Sequence, residues 1–130
     1  MRYVSDQERP LLPAELYLLL VLALGEGHAY NLRGRMTSLS RGALSMPSGT
    51  FTPLLRRMHE LGYVDLVGNK PAGKSGTVRR HYGISGHGLI RLKEELYRLR
   101  LAVKTAESIG LLHDETPLDI QKLLLEAADN

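Results

Sequence analysis

Two short runs rich in β-branched and aromatic residues, YVDLV at 63–67 and VRRHYGI at 78–84, read as strands, while the other apolar residues recur at helical spacing. A period of two suits a pleated strand and a period of 3.6 suits a helix, so the pattern restricts the chain to a helical body with one small hairpin. In the second run Val78, Tyr82 and Ile84 share one face, with Arg79 and His81 on the other. Arg80 falls on the apolar side and is expected near the solvated end of its strand. The ten residues between the runs (68–77) carry a rival reading, because Gly68 and Gly73-Lys74-Ser75 fit G-x-x-x-x-G-K-[ST], the loop that cradles nucleotide phosphates. Such a loop needs a helix directly after it, so that backbone N–H groups and the helix dipole meet the anion. The residues that follow, GTVRRHYGIS, instead alternate and then break at glycine; no later strand ends in an acidic metal ligand, and Pro71 stiffens the loop. The stretch is therefore read as a hairpin tip carrying Lys70 and Lys74, with Arg79 and Arg80 leaving it.

The helices have their own signals. Pro13 suits a first helical position, and LYLLLVLAL behind it is apolar on most faces, as a core helix is, until Gly25 and Gly27 interrupt it. A second, weaker helix covers about 29–39 with Gly34 inside it. In SGTFTPLLRRMHELG, Ser48 is expected to cap a third helix and Gly62 to stop it in the left-handed conformation. Phe51, Leu55, Met58 and Leu61 or Gly62 form its buried stripe, and Gly49, Thr52, Pro53, Arg56 and Glu60 its outer face, with Thr50 and Arg57 at the margins. Pro53 suggests that the regular helix begins only near Thr52. Ser85 is expected to cap a long helix over about 86–109. In it Leu89, Leu92, Leu96, Leu99, Val103 and Ala106 follow a 3-4-3-4-3 spacing, the seam of a coiled coil. The rest of the chain is too short to cover that seam along its whole length, so it is read as a homodimer interface. Thr116-Pro117-Leu118-Asp119 resembles a capping box that opens a short last helix.

Charge is distributed unevenly within a net +3. Residues 28–93 hold eleven Lys or Arg against two acids, a balance of +9, whereas residues 112–130 hold one base against five acids, a balance of −4. A basic middle of this size in a 130-residue chain points to a polyanionic partner, because each phosphate contact releases condensed counterions. The order helix, helix, helix with a basic outer face, basic hairpin and long helix is that of a winged helix-turn-helix, whose third helix enters the major groove and whose wing meets flanking phosphates. On that reading Ser48, Thr50, Thr52, Arg56 and Arg57 on the helix and Lys70, Lys74, Arg79 and Arg80 on the wing contact double-stranded DNA. Tyr30, Arg33 and Arg35 lie on the second helix, where the arginines would touch the DNA backbone and Tyr30 is read as packed.

Three ordered motifs, LLPAELYLLLVLALGEGHAYNL, PSGTFTPLLRRMHELGYV and RRHYGISGHG, closely resemble the PadR-like transcriptional regulators over about residues 11–109. The matching family patterns are a P-x-E-x-x-L-L opening, an H-G-Y-like start to the second helix, a P-G-T-L-Y-P recognition helix and an R-x-Y-Y-x-L-T-x-x-G wing exit. The resemblance implies a mainly helical fold with a two-stranded β wing and a dimer formed through the long C-terminal helix. It also implies a repressor on a palindromic operator. The chain departs from the pattern at Thr52 (commonly tyrosine), Ala29 (glycine), Pro47-Ser48 (the reverse order) and Gly83 (a larger residue).

The expected organisation is a winged helix over 1–85, a dimerisation helix over 86–110 and an acidic segment with a short helix over 111–130. Neither a catalytic set nor a metal site is expected: the histidines at 28, 59, 81, 87 and 113 are scattered, and His59-Glu60 lacks the second histidine of a zinc protease. No cofactor is expected, although a small-molecule effector is one signal that could release such a repressor. The apolar run Leu16–Leu24 is shorter than the roughly 20 residues that span a bilayer, and MRYVSDQERP is followed by no secretory core, so a cytoplasmic protein without membrane contact is expected. The competing class is a protein-interaction adaptor, a winged helix that has lost DNA binding; the acidic tail suits it, and the paired basic helix and wing do not.

Overall fold

The computed structural model describes residues 9–72, 76–113 and 119–128. Its elements run α1 (Pro13–Leu24), α2 (Ala29–Leu39), α3 (Ser48–Glu60), β1 (Val64–Ala72), β2 (Thr77–Ile84), α4 (Gly86–Ser108) and α5 (Ile120–Ala128). The three N-terminal helices close around one core. Leu18, Leu19 and Leu22 of α1, Leu32 and Met36 of α2, and Phe51, Leu55 and Met58 of α3 are all buried, as the helical spacing requires. Tyr63, Val64 and Leu92 complete it from the hairpin base and from α4. Among the described residues no helix is long and apolar enough to cross a membrane.

The end of α3 is a Schellman motif. Tyr63 N–H donates to the Met58 carbonyl (3.0 Å) and Gly62 N–H to that of His59 (3.0 Å), with Gly62 at φ 82°. This turn delivers the chain into β1. At the far end of the hairpin Ser85 caps α4: its Oγ accepts from Gly88 N–H (2.9 Å) and donates to the Gly62 carbonyl (2.6 Å). One serine thus joins the stop of α3 to the start of α4.

β1 and β2 pair antiparallel, with Val64 opposite Ile84 and Ala72 opposite Thr77. The strands are longer than the two runs alone suggest, because GNKPA continues β1 through what reads in sequence as loop. A register shift between Leu66 and Gly68 makes Val67 the extra residue of a bulge, which conceals the strand's continuation from a period-two reading. A further bridge joins Gly27 to Tyr82, with Gly27 N–H donating to Tyr82 O (3.0 Å) and Tyr82 N–H to Gly27 O (2.8 Å). The α1–α2 connection therefore acts as a minimal third strand at the wing base.

Three local expectations need correction. Ser48 is the first residue of α3 rather than its cap; Pro47 stands at the cap, and no side chain caps that turn. The helix is already regular at Ser48, and Pro53 lies inside it, on the solvent side, where a missing N–H costs least. The last helix begins at Ile120, where Asp119 Oδ1 accepts from Lys122 N–H (3.0 Å); Thr116 and Pro117 lie outside the described residues. This helix packs along α2.

Of the seam on α4, Leu92 is buried in the chain's own core, Ala106 is partly covered, and Leu89, Leu96, Leu99 and Val103 are exposed. The first half of α4 packs on α1 but leaves Leu89 and Leu96 exposed, and its second half projects beyond the domain with Leu99 and Val103 uncovered.

Candidate nucleic-acid interface

The outer face of α3 follows from the inner one. With Phe51, Leu54, Leu55 and Met58 turned to the core, Ser48, Thr50, Thr52, Pro53, Arg56 and Arg57 are exposed on a continuous solvent face. The two arginines then differ. Among the described residues Arg56 has no ion-pair partner, whereas Arg57 Nη2 donates to Glu15 Oε2 (2.7 Å) while its side chain stays 46% exposed. That exposure leaves Arg57 shared between the protein and whatever lies in front of α3.

Glu15 is the buried end of this pair, 1% exposed in the third position of α1. Its carboxylate accepts from Arg9 Nη1 (2.8 Å) and Nη2 (2.9 Å), from Leu12 N–H (2.7 Å) and from Arg57. Burial pushes the carboxyl pKa up, but the Arg9 hydrogen bond, the Leu12 N–H and the two guanidinium charges outweigh it, and the group is held below its ordinary 4.5. Leu12 N–H would otherwise go unbonded at the helix start.

Two of the wing's cations share one face, and Arg80 lies on the other. Lys70 and Arg79 are directly opposed in the ladder, and His81, two residues on from Arg79, shares their side. Like charges directly opposed on a hairpin are unfavourable. The Lys70 ammonium relieves part of this by pairing with Glu26 in the α1–α2 connection. Arg79 and Arg80 are exposed, and Lys74 lies outside the described residues. At the wing base the His81 ring meets His28 edge-on, with centroids 5.5 Å apart. Burial, followed by the nearby His81, Arg79 and Arg35, holds the His28 pKa below its ordinary 6.5. Its imidazole stays neutral at neutral pH and its Nδ1 caps α2 by accepting from Asn31 N–H (3.4 Å).

The arginines of α2 also brace the framework. Arg33 Nε donates to the Met46 carbonyl (3.0 Å), which fixes the connection entering α3, and Arg35 donates to the Gly25 carbonyl (3.0 Å), which closes the end of α1. Tyr30, read as packed, is 62% exposed; the inward positions of α2 belong to Leu32 and Met36. Sequence reasoning missed the roles of Glu15 and Glu26. The one visible signal for Glu15 was an acid at the third position of a helix otherwise apolar on most faces; Glu26, between two glycines, had none.

Glu15 and His28 both titrate with consequences for stability. The depressed His28 favours its neutral form in the fold, so stability falls as pH drops below about 6.5, where the unfolded chain takes up a proton that the fold refuses. Glu15 is depressed as a carboxylate, so its contribution is present above about 4.5 and is lost as pH falls through its lower folded value. Urea midpoints measured from pH 8 to pH 3 are expected to decline in two windows. His28→Gln should remove the upper one and Glu15→Gln the lower.

No protein-family model matches the sequence, and no curated protein matches it. Solved structures do resemble it. A PadR-like transcriptional regulator from Bacillus cereus superposes with a TM-score of 0.59 at 25% identity, over 77% of this chain and 93% of that one. A proposed transcriptional regulator from Thermoplasma acidophilum gives 0.57 at 27% identity, over 77% and 92%. A PadR family transcriptional regulator from Eggerthella lenta gives 0.53 at 21% identity, over 75% and 83%. The likeness is one of fold, here a mainly helical body with a two-stranded hairpin wing and the long helix α4. The chain has the winged-helix fold of the PadR-like regulators that it resembles.

Proposed function

We propose that this protein is a sequence-specific DNA-binding transcriptional regulator, a homodimeric repressor on a palindromic operator. The observation that carries the reading is the opposed Lys70–Arg79 pair on the wing, with Arg80 beside it, accompanied on the outer face of α3 by Arg56, which has no ion-pair partner among the described residues. A hairpin gains nothing in stability from opposing two cations, and a phosphate backbone relieves their repulsion. In this reading α3 enters the major groove, where Ser48, Thr50, Thr52 and Arg56 face bases or adjacent phosphates, while Arg57, Lys70, Lys74, Arg79 and Arg80 hold the backbone. Residues 1–85 form the DNA-binding unit. The exposed Leu89, Leu96, Leu99 and Val103, with Ala106 and the core-facing Leu92, form the dimer seam of residues 86–110. Two-fold symmetry then sets half-sites one helical turn apart or a multiple of it.

The test is fluorescence anisotropy of a labelled duplex from upstream of the protein's own gene, across several salt concentrations and with unrelated duplex in excess. Binding that survives the competitor is expected, with log K falling by about 0.9 per phosphate contact for each decade of salt. Lys74→Glu should weaken binding to all duplexes alike and shallow the slope by at least about 1, whereas Arg56→Glu should cost roughly tenfold or more and relax sequence preference. Sedimentation should give a dimer. Binding abolished by the competitor would instead favour the adaptor reading, for which the acidic segment 112–130 is the candidate docking element.

A further inference from the structure

A chain of buried polar contacts runs from α4 to α3 through four residues of irregular backbone. Glu95 of α4, 3% exposed, accepts from Leu11 N–H (2.9 Å), and Arg91 of α4, 4% exposed, donates to the Arg9 carbonyl. The segment 9–12 is thus held by α4 at two backbone points. That same segment supplies three of the four hydrogen bonds to Glu15, two from the Arg9 guanidinium and one from Leu12 N–H, and the fourth comes from Arg57 of α3.

We propose that Glu15 is a positioning residue through which α4 sets the reach of Arg57: the more fully segment 9–12 satisfies the buried carboxylate, the more readily Arg57 leaves it for a DNA phosphate. The proposal rests on the DNA-binding reading of α3. A buried carboxylate that loses one partner depends more heavily on those remaining, because an uncompensated charge there is costly. If α4 shifts and draws Arg9 and Leu12 away, Glu15 keeps only Arg57 and pulls it back from the α3 surface. If α4 holds segment 9–12 in place, Arg9 alone neutralises the carboxylate, and the half-exposed Arg57 is available outward. The repacking of α4 in a dimer, or around an effector, is thereby transmitted to the DNA-facing helix without any movement of the hydrophobic core.

Two measurements on the full chain test this, one of which needs no DNA. The guanidinium ¹⁵N resonances of Arg57 are compared in the wild type, Glu95→Ala and Glu15→Gln, with thermal melts to verify folding. They should shift in Glu95→Ala, although Glu95 makes no contact with Arg57, and should become solvent-like in Glu15→Gln. Should Glu95→Ala fail to fold, Glu95→Gln, which keeps the packing and removes the charge, replaces it with a smaller shift expected. Unchanged Arg57 resonances in the folded Glu95 variant would overturn the coupling. In the second measurement Arg9→Gln should shallow the salt dependence of duplex binding by about 0.9, the loss of one phosphate contact, and Arg9→Gln with Glu15→Gln should restore it. Arg57→Gln should shallow it equally, with no further change on adding Arg9→Gln. A slope unaffected by Arg9→Gln would leave the network purely structural. A wild type that binds no duplex at any salt would sink the DNA-binding reading instead, and the resonances alone would then decide whether α4 controls Arg57.

Discussion

Gly88→Ala is expected to destabilise the protein by about 3 kcal/mol or more, a larger penalty than most single methyl additions cause. A β-carbon at this position would stand 2.1 Å from the Tyr63 carbonyl oxygen and 2.9 Å from its carbon, with Ile84 at 3.1 Å. Two of these neighbours are backbone, so no side chain can rotate aside. Nor is the Tyr63 carbonyl free to move, since it accepts from Ser85 N–H (3.1 Å) in the joint between α3, the hairpin and α4. The only relief is to lift the start of α4, which withdraws Leu92 from the core and disturbs Arg91 and Glu95. Gly86 is the control: it opens the same helix, and a β-carbon there meets nothing within 4 Å. Gly86→Ala should therefore be neutral or slightly stabilising, while Gly88→Ala lowers Tm by more than about 10 °C in thermal unfolding followed by circular dichroism. Equal effects at the two glycines would show that the close approach does not decide the stability of this joint.

Phe51→Ala is expected to cost about 3–5 kcal/mol, much of the 5–15 kcal/mol that separates a typical domain from its unfolded state. Phe51 is the chain's one phenylalanine and is fully buried where α3 meets α1 and α2. Truncation removes a large apolar side chain from water-free packing and leaves a cavity between helices already fixed by the Arg33–Met46 contact and the Schellman turn, so collapse into the space is limited. Thr52, the next residue, points to solvent. Thr52→Ala should change stability by less than about 0.5 kcal/mol, while under the proposed function it alters operator affinity. Urea unfolding of both variants, alongside duplex binding, separates the face of α3 that builds the fold from the face that serves it. A large loss of stability in Thr52→Ala would mean that the helix is oriented otherwise.

Periodicity made the helices legible. Leu18 through Met58 recur at spacings that only one helical face can satisfy, and the glycine at 62 and the serine at 85 mark ends by local chemistry. Features that depend on two distant segments left no such trace. Val67 breaks the alternation of β1 because a bulge inserts it, so GNKPA reads as loop although it is strand. The Gly27–Tyr82 bridge joins residues whose pairing no local pattern announces. Arg57 illustrates the limit for the candidate site: its helical position marks it as marginal to the outer face, but only the fold reveals the buried Glu15 that shares it. Lys70 is similar, its partner Glu26 lying 44 positions away in sequence. Pro53 misled for the opposite reason: its local cost is genuine, but α3 tolerates it on the exposed side because tertiary packing holds the helix across it.

The bulge at Val67 also divides the hairpin into two parts under different constraints. Val64, Tyr82 and Ile84, below it, belong to the core or pack against it, and Tyr82 is bridged to Gly27. Of the described residues above it, none contributes to the core. Lengthening a surface loop costs little, about 0.6 kcal/mol for each doubling. Over evolutionary time the outer hairpin can therefore gain or lose residues and charge while the scaffold beneath it stays the same. Descendants of one such fold could diverge in how firmly they grip a polyanion without passing through an unstable intermediate, and the same freedom is open to anyone grafting a new wing onto this base.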